Sequence, residues 1–351
     1  MRTRWSWCLS LGLGLSHAFR APYMGNKEES WTTQWRMGRT TKTLLDIGDA
    51  TLDLRIMPRD RSILHILGAR GNWWLSLPSR SVMDGVVNRQ SCEMGFLSSN
   101  GEATYRANYD RDLFSIFDTT EAVPVLWTDR VPLFGLSTGL RGHMLLGLCS
   151  ESVLVRDLGK PMSNMNPSLL YTGMMGGTCL CGALCGTTAF LGTVSGTVIM
   201  INLRTLTMRR LNTTVTGHVG DVVRSVSVAQ AAMGRFHVAV GREGGRVDVY
   251  ETPGAEPRGS DRHLFSRVLH TRPICSMSLD RHKLVTADEG GRIIIGDAMQ
   301  NSAWYETQLG SPCRVATTER FLVLSFGRYL EIWDYDPSEA PTCRGLLSGD
   351  L

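Results

Sequence analysis

Short apolar segments recur along the chain, and each ends in an acid or an amide. The clearest copy is Leu330–Asp334, in which Glu331 interrupts apolar residues before the final Trp333-Asp334 pair. The copies end at Asp118, Asp157, Asn202, Glu251, Asp297 and Asp334. Short apolar or alternating segments of this length are typical of β-strands. The pattern therefore predicts an all-β protein built from repeats of one unit.

The spacing of these endings indicates which all-β fold the repeats form. Successive copies are separated by 39, 45, 49, 46 and 37 residues. A period of roughly 40–45 residues is typical of β-propeller blades, each of which is a four-stranded antiparallel sheet. The unit that ends at Glu251 is the clearest repeat. It begins with Gly217-His218, and the glycines of its turn at Gly244-Gly245 suit a tight hairpin.

The number of repeats is expected to be seven, with six as the alternative. Counting back 44 residues from Asp118 reaches Trp74, which lies in a further apolar segment, 72–77. We expect a leader over 1–39, a propeller over 40–345 and a tail over 346–351. Because a propeller closes by pairing strands from its two ends, either Thr43–Ile47 or Thr51–Met57 is expected beside Tyr329–Asp334.

Composition indicates a globular protein rather than a membrane or nucleic-acid-binding one. Apolar residues make up 42% of the chain and charged residues 20%, with a net charge of +4. This charge is too small to favour a nucleic-acid partner, and no apolar run reaches the roughly 18 residues of a membrane span. The nine cysteines are odd in number and irregularly spaced, as in reduced intracellular proteins.

These features favour a cytoplasmic or nuclear location. The first 27 residues nevertheless contain arginines and no acid, so secretory or organellar targeting stays open.

The chain resembles the WD-repeat (WD40) family of β-propellers. The resemblance covers about residues 100–345 and rests on Gly217-His218, Asp221, the Glu243-Gly244 and Glu289-Gly290 turns, and Ile332-Trp333-Asp334. It implies that the following residues are structural: His218, Asp221, His270, Asp288, Trp333 and Asp334.

In that family an opening His, a strand Ser or Thr, a turn Asp and a closing Trp are hydrogen-bonded within a blade. Here one blade has His270, Thr286 and Asp288 but has Gly296 in place of Trp. The last blade has Trp333 and Ser325 but no turn Asp. We therefore expect packing to hold the blades together more than polar networks do.

The tryptophan-rich segment Trp31–Arg36 and the last blades also faintly resemble F-box/WD-repeat proteins, in which the propeller captures substrates for a ubiquitin ligase. That resemblance implies ubiquitin-ligase subunits as partners. No complete F-box is visible in the first 40 residues, which leaves ligase recruitment open.

Catalytic and metal-binding signatures are weak. Cys179, Cys181 and Cys185 lie close together in sequence, but a closed zinc site needs a second pair of ligands. Cys179 and Cys181 would face one side of a strand, and we interpret them as core residues. No catalytic motif emerges, so we expect neither an enzyme nor a cofactor or metal.

Three arginines are the candidate binding residues. Arg224, Arg272 and Arg314 each follow a blade-opening turn, at positions that we interpret as equivalent and close to the rim or the central channel of one face. Guanidinium groups pair bidentately with carboxylate and phosphate. The set predicts an acidic or phosphorylated protein partner, while the alternative is that the arginines pair with acids of neighbouring blades.

The sequence thus favours a non-enzymatic scaffold for protein–protein interaction, with substrate recognition for a ubiquitin ligase as its most specific version. Two alternatives stay open: a secreted or organellar propeller enzyme, and an RNA-associated propeller.

Overall fold

The computed structural model describes residues 35–36, 38, 40–56, 60–69, 71–87, 178–212, 221–255, 259–300, 302–309 and 314–336, together with the backbone of the strands between residues 94 and 171. Regular structure in these residues is β-sheet, apart from short helical turns at 35–36 and Ala232–Gly234. The all-β prediction is confirmed.

The strands of the described residues form seven four-stranded antiparallel sheets, which we number as blades along the chain. The first strand, β1 (Thr41–Asp46), belongs to the last blade. Blade 1 contains β2 (Thr51–Ile56), β3 (Ile63–Gly68), β4 (Gly71–Ser76) and β5 (Ser81–Val87). Blade 2 contains β6 (Met94–Ser99), β7 (Thr104–Asp110), β8 (Leu113–Asp118) and β9 (Val125–Asp129). Blade 3 contains β10 (Gly135–Thr138), β11 (Met144–Leu148), β12 (Ser152–Asp157) and β13 (Ser168–Tyr171).

The second half of the chain repeats the same order. Blade 4 contains β14 (Cys179–Cys185), β15 (Thr188–Thr193), β16 (Val198–Asn202) and β17 (Met208–Arg210). Blade 5 contains β18 (Val223–Gln230), β19 (Phe236–Arg242), β20 (Arg246–Thr252) and β21 (Arg262–Val268). Blade 6 contains β22 (Ile274–Leu279), β23 (Lys283–Asp288), β24 (Arg292–Asp297) and β25 (Ala303–Gln308). Blade 7 contains β26 (Arg314–Thr317), β27 (Phe321–Phe326), β28 (Tyr329–Asp334) and β1.

The seven sheets are arranged as a ring. The first strand of each blade contacts the first strands of its two neighbours, and the last contact returns from β26 to β2. These strands therefore surround the central axis, as in a β-propeller. Each repeated ending identified in the sequence lies at or next to the end of the third strand of a blade.

The inner strands are apolar because both of their faces are buried between blades. Every residue of β15 and β23 is buried, whereas β25, at the outer edge, has an irregular mixture of exposed and half-buried positions. Apolar cores form between blades 4 and 5, 5 and 6, 6 and 7, and 7 and 1. This double burial produces the continuous apolar runs that mark the repeat in the sequence.

The two ends of the chain close the ring. Strand β1 pairs antiparallel with β28, so that Thr41 lies opposite Asp334 and Asp46 opposite Tyr329. The first of the two expected closures, through Thr43–Ile47, is confirmed. The second candidate segment, Thr51–Met57, instead forms β2 in blade 1.

Packing of the N-terminal region extends beyond the expected domain boundary at residue 40. Trp35 is 1% exposed and lies in the core between blades 6 and 7. Its ring stacks on Tyr335 with centroids 3.8 Å apart, and its Nε1 donates to the carbonyl of Glu319 at 2.7 Å. The Lys283 ammonium lies 4.5 Å from the same ring. The packed body therefore includes Trp35, which the sequence analysis assigned to the leader.

Blade 6 contains a buried polar network. His270 Nδ1 lies 3.1 Å from Asp288 Oδ2, and His270 Nε2 lies 2.7 Å from Thr286 Oγ1. Asp288 Oδ1 accepts from the backbone N–H groups of Gly290 and Arg292. His270 and Asp288 are thus structural, and they link the loop before the blade to its central turn.

Gly296, at the position where the family has Trp, leaves no room for a side chain. A Cβ on Gly296 would lie 2.5 Å from the carbonyl oxygen of Ser302 and 3.2 Å from Ala303 Cα. The sheet register shifts at this point, between Ile295 and Gly296. The backbone of the outer strand has therefore moved into the space that a tryptophan would need.

Blade 5 has an ionic network at the corresponding place. Arg242 pairs with Val223 in the register at which Asp288 pairs with Ile274. Its side chain is fully buried and donates through Nε to the Asp248 carboxylate and through Nη1 to the carbonyls of Gly196, in blade 4, and Asp221. Blades 5 and 6 therefore combine buried polar networks with apolar cores, and the expectation that packing outweighs the networks stays a prediction. His218 lies outside the described residues.

The last blade departs from the pattern that the resemblance implies. Trp333 Nε1 donates to Glu331 Oε1 at 2.9 Å rather than to Ser325. Asp334 is 1% exposed and is held by Arg320 through two hydrogen bonds of 2.7 and 2.8 Å. Both residues are buried, and their partners differ from those of the family pattern.

Replacing Trp35 tests the extended boundary. Trp35→Ala should lower the free energy of unfolding by about 3–5 kcal/mol, because it removes a fully buried aromatic side chain. Urea denaturation measures this change. Leu44→Ala is the control on the adjacent strand: Leu44 is 60% exposed, and its loss should cost less than about 0.5 kcal/mol. Equal effects of the two substitutions would mean that Trp35 does not belong to the packed body.

The His270 network predicts a pH dependence of stability. Burial lowers the pKa of His270, against the opposing influence of Asp288, and burial also lowers the pKa of His237. Both histidines therefore bind protons more readily in the unfolded chain. Stability should fall as the pH drops below about 6.5, by up to about 1.4 kcal/mol per pH unit for each histidine.

Urea denaturation between pH 7.5 and 5 measures this slope. His270→Gln should make it shallower, leaving the contribution of His237. The control His282→Gln, at an exposed turn, should keep the wild-type slope. An unchanged slope in His270→Gln would contradict the assignment.

Candidate functional site

The three arginines predicted from the sequence lie at one end of neighbouring blades. In an antiparallel blade the first strand begins at the end where the second strand finishes. Arg224 is the second residue of β18, Arg272 precedes β22 by two residues, and Arg314 is the first residue of β26. We call this end of blades 5–7, with Arg224, Arg272 and Arg314, the arginine face.

The arginines are not at equivalent positions, which corrects the interpretation from sequence. Arg224 occupies a β-bulge between Val223 and Ser225. Arg314 is paired opposite Ser325, without a bulge, and Arg272 lies in the loop before its strand. The chain spacing after each turn did not reveal the bulge, because a bulge is defined by pairing with the neighbouring strand, where two residues lie opposite one.

Arg224 reaches from blade 5 to blade 6. Its Nη2 lies 3.0 Å from Glu289 Oε1, in the turn between β23 and β24. The side chain of Arg224 is 38% exposed and that of Glu289 is 41% exposed. This is the pairing with an acid of a neighbouring blade that the sequence analysis kept as the alternative.

Arg272 lies across the same turn. Its Cδ and Nε are 3.0 and 3.3 Å from the position that a Cβ on Gly290 would occupy. A side chain at 290 would therefore crowd Arg272, which would have to shift by a few tenths of an ångström. Among the described residues, Arg272 makes no hydrogen bond or ion pair, and it is exposed.

Arg314 approaches blade 6 from the other side. Its Nη1 donates to the carbonyl of Cys275 at 3.4 Å, a long hydrogen bond to an exposed group. Cys275 lies in the bulge of β22, and the backbone N–H of Glu289 donates to the carbonyl of Pro273 at 2.9 Å. The two segments of blade 6 that meet the arginines are therefore joined to each other.

All three arginines thus converge on one end of blade 6, around residues 273–275 and 289–290. They bring three positive charges, and Glu289 is the acid that pairs with one of them. Nearby, Arg292 is already paired with Glu306. The arrangement can accept an anionic group, since the Arg272 donors point to no acceptor among the described residues.

The cysteines of β14 are core residues, but they do not share one face. Cys179 lies in a core on one side of blade 4, while Cys181 and Cys185 pack against the core between blades 4 and 5. A register shift between Cys179 and Cys181 turns the strand over. Burial raises the pKa of the Cys181 thiol to about 12, which disfavours the thiolate that a metal or an electrophile requires.

The opposite end of the propeller has a cleft that the sequence did not predict. Its volume is about 460 Å³, and its walls come from several blades and from Trp35. Arg61 pairs there with Glu319, and Lys283 with Asp280. The lining residues come from turns that are far apart in the chain, so no local motif could have revealed the cleft.

No group of three or more His, Cys, Asp and Glu residues suited to a metal ion occurs in the part of the chain that the structure describes. In the same part of the chain, no helix is long and apolar enough to cross a membrane.

Solved structures with the same fold are known. The β-propeller domain of Cps50 (Swd1) from Myceliophteria thermophila is 10% identical, with a TM-score of 0.66 over 84% of this chain and 99% of that domain. U3-55K is 14% identical, with a TM-score of 0.62 over 83% of this chain and 98% of the other. The computationally designed Ika8 protein is 13% identical, with a TM-score of 0.58 over 82% and 97%. At these identities the likeness shows the fold. No family model and no curated protein matches the sequence.

Proposed function

We propose that this WD40-like propeller is a non-enzymatic scaffold, and that its arginine face binds an acidic or phosphorylated segment of a protein partner. A rigid ring presents loops at both ends, and function on such a fold resides in its loops. The fold is shared with other WD40-type propellers, but the choice of ligand depends on the residues of the face itself.

One observation carries the proposal. Arg272 is exposed, lies beside the Arg224–Glu289 pair, and has no hydrogen-bond partner among the described residues. A guanidinium group in this position offers a planar set of donors to a carboxylate or a phosphate. Arg224 and Arg314, on either side of it, add positive charge at the same end of blade 6.

Removing the three guanidinium groups tests the proposal. The triple variant Arg224→Ala, Arg272→Ala, Arg314→Ala should lose binding to an acidic partner by at least tenfold, since a hydrogen bond to a charged group contributes about 1.5–3 kcal/mol. The melting temperature should stay close to that of the wild type because the side chains are exposed. Fluorescence anisotropy with a labelled acidic peptide and thermal unfolding measure the two quantities.

The matched control removes three arginines from the opposite end. Arg61, Arg204 and Arg281 are exposed at turns there, so their replacement by alanine changes the net charge equally without touching the arginine face. If the control variant loses as much affinity as the first, binding reflects net charge and the proposed site is wrong.

A more specific version of the function is capture of a protein for a ubiquitin ligase, in the cytoplasm or the nucleus. Affinity purification of the full chain from cells, followed by protein identification, tests this version. A ligase-linker protein that is also retained by the triple arginine variant supports it, because recruitment and capture would use different surfaces. Purified partners without such a linker would contradict the ligase role and leave the scaffold proposal standing.

A further inference from the structure

The turn between the second and third strands carries the same acid in blades 5 and 6. Glu243 follows Arg242 in blade 5, and Glu289 follows Asp288 in blade 6, each before a pair of glycines. The two acids differ in their surroundings. Glu289 pairs with Arg224 at 3.0 Å, whereas the side chain of Glu243 is exposed and makes no hydrogen bond or ion pair among the described residues.

The position of Glu289 matters because it is inside the arginine face. Its carboxylate accepts a hydrogen bond from Nη2 of Arg224, while Arg272 lies over the next residue, Gly290. An anionic ligand that engages Arg224 and Arg272 together has to displace Glu289 or bind against its charge. A ligand carboxylate would replace one carboxylate by another at Arg224 and would gain little there.

We infer that Glu289 is a built-in competitor for the arginine face, which weakens the binding of acidic ligands by occupying Arg224. This inference rests on the proposed function, since it concerns the same site. The contact is an autoinhibitory one. It sets how much negative charge a ligand must bring before it displaces the internal carboxylate.

The pair can be displaced because it is solvent-exposed. Both side chains are more than a third exposed, and exposed ion pairs are weak enough to exchange with a ligand at little cost. Neutralising Glu289 should therefore strengthen the binding of an acidic ligand by about two- to fivefold, in line with the strength of such pairs. The gain should be larger at low ionic strength, where exposed charges are less screened.

The experiment uses the full chain and a fluorescein-labelled hexaglutamate peptide as the probe. Fluorescence anisotropy at low salt gives the affinity for the wild type, Glu289→Gln, Glu243→Gln, Arg224→Ala and the double variant Arg224→Ala, Glu289→Gln. Glu243→Gln is the matched control, because it removes the same charge from the corresponding turn one blade away. Thermal unfolding checks that each variant is folded.

We expect Glu289→Gln to bind the probe about two- to fivefold more tightly than the wild type, and Glu243→Gln to bind it with close to wild-type affinity. In the Arg224→Ala background the Glu289 substitution should have little further effect, because the guanidinium that Glu289 occupies is gone. Equal gains from Glu289→Gln and Glu243→Gln, or a full gain without Arg224, would overturn the inference and indicate a general charge effect.

The same measurements separate this inference from the proposed function. If neither the wild type nor Glu289→Gln binds the probe, the proposed acidic-ligand site is wrong. If the wild type binds and the triple arginine variant does not, but Glu289→Gln leaves the affinity unchanged, the site stands and the competitor role is wrong. Binding that is detectable only in Glu289→Gln and depends on Arg224 supports both.

Discussion

The structure depends on closure of the ring by the pairing of β1 with β28. Apolar cores join blade 4 to 5, 5 to 6, 6 to 7 and 7 to 1, so opening the ring between blades 7 and 1 would expose an apolar face on each of them. Strand β1 supplies the fourth strand of blade 7 from the other end of the chain and covers the free edge of β28. Trp35, just before this strand, adds a buried aromatic side chain between blades 6 and 7. Trp35 therefore belongs to the packed body.

Blades 5 and 6 each connect the loop before the first strand to the turn after the second strand, but with different side chains. Blade 6 links its opening loop to its central turn through a neutral histidine network around His270, whereas blade 5 uses a buried guanidinium, Arg242, at the register of Asp288. The ionic network also reaches blade 4 through the carbonyl of Gly196. Buried charges are tolerated when they are paired and hydrogen-bonded, so the motif residues of the repeat are free to vary while the hairpins persist. The proposed site lies among exposed residues around these networks.

Convergence of the arginine face on blade 6 is a consequence of ring geometry. Arg224 and Glu289 are 65 residues apart, yet adjacent blades place them in contact. The same turn that gives Arg272 its space, through Gly290, also places an acid within reach of Arg224. A single turn thus holds both the glycine beside Arg272 and the acid that pairs with Arg224.

The sequence by itself determined the blade architecture. Continuous apolar strands and glycine turns are local features that can be recognised in the sequence. They predicted the repeated sheets and the residues at which the repeats end. They also included the segment that closes the ring among two candidates. The sequence also predicted structural roles for His270, Asp288, Trp333 and Asp334, all of which are buried. The three arginines that it singled out lie at one end of blades 5–7. Only the tertiary structure showed which of the two segments pairs with β28 and that Trp35 is buried. It also showed that a bulge places Cys179 and Cys181 on different faces, and that Glu289 pairs with Arg224. These features depend on bulges and on contacts between blades, and neither leaves a periodic signal in the chain.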